Sequence, residues 1–141
     1  MSDHLFHPGI ARGLMEHAPA GAAVTLAVDR DLAGPYLDLD DATKVEIAQD
    51  GRIVRIGKTL DRFGAIDTGL FLATPALAQA IAAAIADGGS GSLSEGVQRL
   101  ADAGRAATMD IGAARWIDVD DPRMLALAER FLGAAVRDGG A

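Results

Sequence analysis

The sequence predicts an α/β domain: a mixed sheet with flanking helices and one β-hairpin. Three observations carry that expectation. A short helical segment, His7-Pro8 to His17, leads into the apolar run Val24-Thr25-Leu26-Ala27-Val28, which reads as a buried strand. Two strand-like runs flank Asp50-Gly51, a pair that accepts the positive φ angles of a tight turn. Strand-like runs are twice stopped by a pair that starts a helix, Thr74-Pro75 and Asp121-Pro122.

In chain order, the helix at 7–17 is followed by the strand Val24–Asp29, which delivers Asp29 and Arg30 at its end. Thr43–Ala48 and Arg52–Ile56 are the arms of a hairpin spanning 43–58 and ending in Gly57-Lys58. Ala65–Leu72 is a further strand, after which Thr74-Pro75 caps an alanine-rich helix to about Ala86. Asp87–Gly91 is a glycine-rich loop. Ser92 with Glu95 fits a capping box that opens a helix through Ala103. Ala106–Ile111 and Arg115–Val119 are the last strands. Asp121 then caps a helix whose apolar residues recur from Met124 to Val136. Residues 1–137 read as one domain and 138–141 as a flexible tail.

Half of the 141 residues are apolar, enough for a core of ordinary size. The net charge of −7 and the 4% aromatic content argue against nucleic acid as a partner, which needs a basic stripe and stacking rings. With no cysteine, disulfides, thiolate nucleophiles and cysteine-ligated zinc are excluded, so any metal is held by oxygen or histidine. No apolar run approaches the ~18 residues that span a bilayer, and Met1-Ser2-Asp3-His4 does not open a secretory signal. The expectation is a soluble cytoplasmic protein with no membrane partner.

The richest segment for chemistry is Trp116-Ile117-Asp118-Val119-Asp120-Asp121-Pro122. On a strand, Asp118 and Asp120 at i and i+2 share a face, and two converging carboxylates call for a cation or water. The alternative is an acidic, solvated loop before a helix. The chain has eleven arginines and only two lysines, Lys44 and Lys58, both in the hairpin. They are either phosphate-binding ammonium groups or solvated strand-end lysines. Asp67-Thr68-Gly69 reads as a ligand-facing strand segment or a bulge. His4, His7 and His17 lack zinc-motif spacing and are read as surface or core histidines without a catalytic role. No serine sits in a nucleophile elbow, and Gly88-Gly89-Ser90-Gly91 follows a helix where a phosphate-binding loop would follow a strand.

Taken in order, Met1-Ser2-Asp3-His4-Leu5-Phe6, Asp29-Arg30, Ala42-Thr43-Lys44-Val45, Asp50-Gly51-Arg52-Ile53-Val54, Ile56-Gly57-Lys58, Ile66-Asp67-Thr68-Gly69-Leu70-Phe71 and Trp116-Ile117-Asp118-Val119-Asp120 resemble the sugar-phosphate nucleotidyltransferase superfamily, and within it the L-myo-inositol-1-phosphate cytidylyltransferases. The resemblance runs from residue 1 to about 132 and matches the family's central and C-terminal segments. It implies the C-terminal portion of a Rossmann-like nucleotidyltransferase fold. The implied reaction uses Mg²⁺ and a nucleoside triphosphate, CTP above others, and transfers a nucleotidyl group to a phosphate monoester such as inositol 1-phosphate with release of pyrophosphate. On that pattern Asp3 ends the central strand and binds metal with Asp118 and Asp120, while Lys58 holds the acceptor phosphate. Lys44, Asp67 and Thr68 face the acceptor, and Asp29 and Arg30 match the family in type.

The family's nucleotide-binding half, with its glycine-rich loop, would precede Met1. The resemblance therefore implies a chain that works only with a complementing N-terminal half, with negligible activity as 141 residues alone. Two alternatives stand beside it. One is a sugar phosphate or phosphocholine as acceptor, choline being weakened by the scarcity of aromatic rings. The other is a non-catalytic, self-associating scaffold, a homo-oligomer built over exposed strands.

Overall fold

Strand β2 (Val24–Asp29) is the middle of the molecule because its residues Val24 to Val28 are all buried and must be covered on both faces. A computed structural model describes residues 3–34 and 37–138 and shows how that is done. Val24, Leu26 and Val28 point into one apolar cluster with Leu77, Val97 and Leu100. Those three come from α2 (Pro75–Ala86) and α3 (Leu93–Asp102). Ala27 points the other way, into a second cluster with Ile10 and Leu14 of α1 (Pro8–His17).

Around β2 the main sheet has the order β4-β3-β5-β2-β6. The hairpin strands are β3 (Lys44–Ile47) and β4 (Ile53–Gly57), followed by β5 (Ala65–Ala73) and β6 (Ala106–Asp110). Only the β2/β6 pair is parallel; the others run antiparallel. Gly51 takes a φ of 84° at the hairpin tip, as the Asp50-Gly51 pair predicts. Its carbonyl accepts from the backbone and the hydroxyl of Thr108 on β6, so the tip reaches across to the far edge. The outer edge of β4 is answered by Gln98 of α3, which accepts from Ile56 N and donates to Val54 O.

A separate ribbon pairs β1 (His4–Phe6) with β7 (Trp116–Asp118). In register, His4 faces Asp118, Leu5 faces Ile117 and Phe6 faces Trp116. Leu5 and Ile117 turn toward Met124 and Ala128 of α4 (Pro122–Asp138). The other face carries His4, Phe6, Trp116 and Asp118. Among the described residues no helix is long and apolar enough to cross a membrane.

The mixed sheet, the helices, the hairpin and the capping box of Ser92 with Glu95 match the sequence expectation. Several details differ. β1 is absent from the sequence reading, and β7 is shorter than 115–119 because its partner offers three residues. Asp3 therefore precedes a ribbon strand and does not end a strand of the main sheet. Asp120 lies past the end of β7, so Asp118 and Asp120 do not share one strand. Thr74 holds the N-cap position of α2, yet its hydroxyl donates to Ala23 O and not to the helix. Helix α4 continues through Asp138; residues 139–141 of the expected tail, and Met1 and Ser2, lie outside the described residues.

Candidate functional site

The ribbon, the bulged part of β5 and the loop before β3 enclose a cleft of about 510 Å³. Asp118 ends β7, and Asp120 and Asp121 follow on the turn into α4, where Asp121 Oδ1 accepts from Met124 N at 2.8 Å. Asp3 is held beside them because its carbonyl accepts from Val119 N at 2.8 Å. Asp67 enters from β5. Pairing between β2 and β5 shifts between Leu26 and Val28, and Gly69 takes a φ of 79° in the bulge this creates. Gly69 N donates to Asp67 Oδ1 at 2.6 Å, and both residues line the cleft. The segment is thus a bulge and a cleft wall at once.

Not every expected site residue reaches the cleft. Thr68 is fully buried and its hydroxyl donates to Ala27 O at 2.8 Å, which fixes the bulge from behind. Lys44 Nζ donates to Lys58 O at 2.6 Å and lies 5.7 Å from the centre of the Phe63 ring. Lys58 itself lines the cleft and forms an ion pair with Asp41 at 2.5 Å. The hydrogen bond that Lys58 donates to Asp41, followed by the charges of Asp41, Asp120 and Asp118, holds the Lys58 ammonium above its ordinary pKa against the effect of burial.

Electrostatics single out two carboxyl groups. Burial first, then the charges of Asp120 and Asp3, push Asp118 up to about 6, against the pull of His4. Burial pushes Asp67 up to about 6 against the Gly69 hydrogen bond. Asp3, in contrast, is lowered, chiefly by its hydrogen bond with His4. Oxygen atoms of Asp3 and Asp118 and a ring nitrogen of His4 all lie within 4.8 Å of one another. Asp118 Oδ1 is buried without a hydrogen-bond partner; His4 Nδ1 stands 3.3 Å away but is not aligned for one. An orphaned carboxylate oxygen facing a second carboxylate is a donor set that fits a hard divalent cation.

No protein-family model matches the chain. Over 94% of its length it is 30% identical to the bifunctional IPC transferase and DIPP synthase of Aquifex aeolicus and, over the same share, 33% identical to the protein of that name from Rubrobacter xylanophilus. It spans 28% and 29% of those two relatives. The structure of the inositol-1-phosphate CTP transferase from T. maritima superposes with a TM-score of 0.75 at 26% identity, over 99% of this chain and 55% of that one. The chain has a nucleotidyltransferase fold.

Within the nucleotidyltransferase fold, the cleft gathers Asp3, Lys58, Asp67, Asp118 and Asp120 and leaves Lys44 and Thr68 one step behind them. Asp29, matched to the family in type without a role, accepts from Trp116 Nε1 at 2.9 Å. Two contributors escaped the sequence reading: Asp41 partners Lys58, and His4, read as without a role by its spacing to His7 and His17, bonds Asp3 at 2.9 Å. His7 instead accepts from Gly9 N at the start of α1, and His17 bonds Gly13 O. No local signal marks His4, because neither His4-Leu5-Phe6 nor Trp116-Ile117-Asp118 alternates polar and apolar residues.

Proposed function

We propose that this chain supplies the metal- and acceptor-binding part of an enzyme that transfers CMP from CTP to inositol 1-phosphate. The observation that carries the reading is the meeting of Lys58 with Asp3 and Asp118 in one cleft, the last with an unpartnered oxygen. Likeness to proteins named IPC transferase and inositol-1-phosphate CTP transferase supports the choice of nucleotide and acceptor.

A phosphate monoester is mostly dianionic near neutral pH, its second pKa being about 6, so its oxygen needs no strong base. That oxygen forms a bond to the α-phosphorus of CTP, the α–β bridge breaks, and pyrophosphate leaves with the electron pair. Catalysis then consists of alignment and charge neutralisation. Asp3 and Asp118 hold the divalent cation, Mg²⁺ in this reading, with Asp120 beside Asp118. When bound, the cation supplies positive charge to the reacting phosphates. Lys58 exchanges its Asp41 partner for the acceptor phosphate, and Asp67 accepts from an acceptor hydroxyl. Lys44 holds the Lys58 backbone, and Thr68 holds the bulge that presents Asp67.

The test is calorimetric titration of the chain with inositol 1-phosphate in the presence of Mg²⁺. Saturable binding is expected, weakened about tenfold, or ~1.4 kcal/mol, by Lys58→Met. Absence of binding, or equal binding by Lys58→Met, would remove the acceptor assignment.

A further inference from the structure

The imidazole of His4 lies between two carboxylates and two aromatic rings, an arrangement the proposed reaction has so far not used. Its side chain is 5% exposed. On one side Nδ1 is 2.9 Å from Asp3 Oδ1 and 3.3 Å from Asp118 Oδ1. The ring also stacks with Phe6 at 5.8 Å and with Trp116 at 5.9 Å, at interplanar angles of 26° and 16°, the two residues facing each other at the next same-face register pair of the ribbon. Trp116 is tied in turn, its Nε1 donating to Asp29 Oδ2 on the main sheet. An unbroken set of contacts therefore runs from β2 through an indole and an imidazole to the carboxylates of the cleft.

We propose that His4 is a positioning residue: stacked against Phe6 and Trp116, it donates from Nδ1 to Asp3 and so fixes the approach of Asp3 to Asp118 that binds the cation. The inference rests on the metal-dependent reading of the cleft. The physical need is plain. Asp3 is exposed and stands just before a three-residue strand, and its side chain is held chiefly by the hydrogen bond with His4. Two carboxylates repel each other when no cation is present, and a rigid N–H donor between them keeps the pair from swinging apart. The ring needs a fixed plane to do this, and two stacked aromatics supply one. Donation to Asp3 occupies Nδ1, which separates this role from direct coordination by that nitrogen.

The experiment uses the whole chain and Mn²⁺ as the probe, with free Mn²⁺ read by electron paramagnetic resonance and folding checked by circular dichroism. His4→Phe keeps the stack and loses the donor, and its Mn²⁺ affinity is expected to fall about tenfold. His4→Asn returns an N–H at similar reach and is expected to recover most of that loss. Trp116→Phe keeps a ring and loses the tie to Asp29; a smaller loss, about threefold, is expected. Failure of the unsubstituted chain to bind Mn²⁺ would remove the metal reading and this inference with it. Normal binding by a folded His4→Phe chain would overturn the inference alone. So would spin-echo modulation from a directly bound nitrogen, or a His4→Asn chain as weak as His4→Phe, since both outcomes make His4 a ligand.

Discussion

The main sheet and the β1/β7 ribbon divide the work of the molecule unequally. The main sheet is covered on both faces, and five consecutive residues of β2 are buried. The ribbon has three residues per strand, and besides the His4 side chain only Ile117 is buried in it. A two-stranded ribbon of this length has little stability of its own and depends on what packs against it, here α4 below and the Trp116–Asp29 tie at its side. Yet Asp3, His4 and Asp118 all belong to the ribbon or adjoin it. The fold rests on one region and the candidate metal ligands on the other. The free energy for holding like charges together is therefore drawn from a core the charges do not touch.

The sharpest way to break this comparison is to excavate each region in turn. Leu26→Ala should lower global stability by about 3 kcal/mol, with ribbon and sheet lost in one transition during urea unfolding. Ile117→Ala should cost less, about 2 kcal/mol, and should speed hydrogen exchange in β1 and β7 before β2. Equal acceleration in both regions would show that the ribbon is no weaker than the sheet.

Asp118→Asn separates function from stability. Mn²⁺ affinity measured by calorimetry should drop about a hundredfold, or ~2.7 kcal/mol, because a ligand is lost, while the thermal midpoint holds or rises once the desolvated charge is gone. A large fall in the midpoint would instead make Asp118 part of the scaffold.

Asp67 sharpens the comparison where β5 meets the cleft. Its pKa is raised by burial to about 6 from the ordinary 3.8, so the native state binds its proton more tightly than the unfolded chain. That contribution is complete below about pH 3.8 and is lost as pH rises through about 6. Asp67→Asn should therefore stabilise the protein at pH 8 and not at pH 4. The side chain keeps some access to the cleft, which reduces the expected gain to about 1 kcal/mol. Thermal melts at the two pH values check the sign.

The smallest effect is expected at Lys44, whose ammonium holds the Lys58 carbonyl and lies over Phe63. Lys44→Met should shift stability by no more than about 0.5 kcal/mol and weaken inositol 1-phosphate binding less than Lys58→Met does. An effect equal to that of Lys58→Met would bring Lys44 into the acceptor site itself.

What could be read in the sequence was written locally. Asp50-Gly51 specifies its turn, Ser92 and Glu95 their capping box, and the run from Val24 a strand covered on both sides, because each depends on neighbours a few residues away. The ribbon was hidden because His4-Leu5-Phe6 is a strand only when Trp116-Ile117-Asp118 lies beside it. Within the site, Asp3, Asp118, Asp120 and Lys58 could be found by residue type and order. Thr68 could not be told from a cleft residue, since only the bulge at Gly69 decides that its hydroxyl turns back to Ala27. His4 was missed because its partners are a neighbouring carboxylate and rings, not the other histidines.

Trp116 is the only tryptophan of the chain, and it rests on the imidazole that touches both carboxylates. The protein thus contains its own optical gauge. Its tryptophan emission arises from this one indole, and an unpaired-electron ion arriving between Asp3 and Asp118 should dim it. Filling of the cleft can then be followed in a cuvette, in real time, with no label attached.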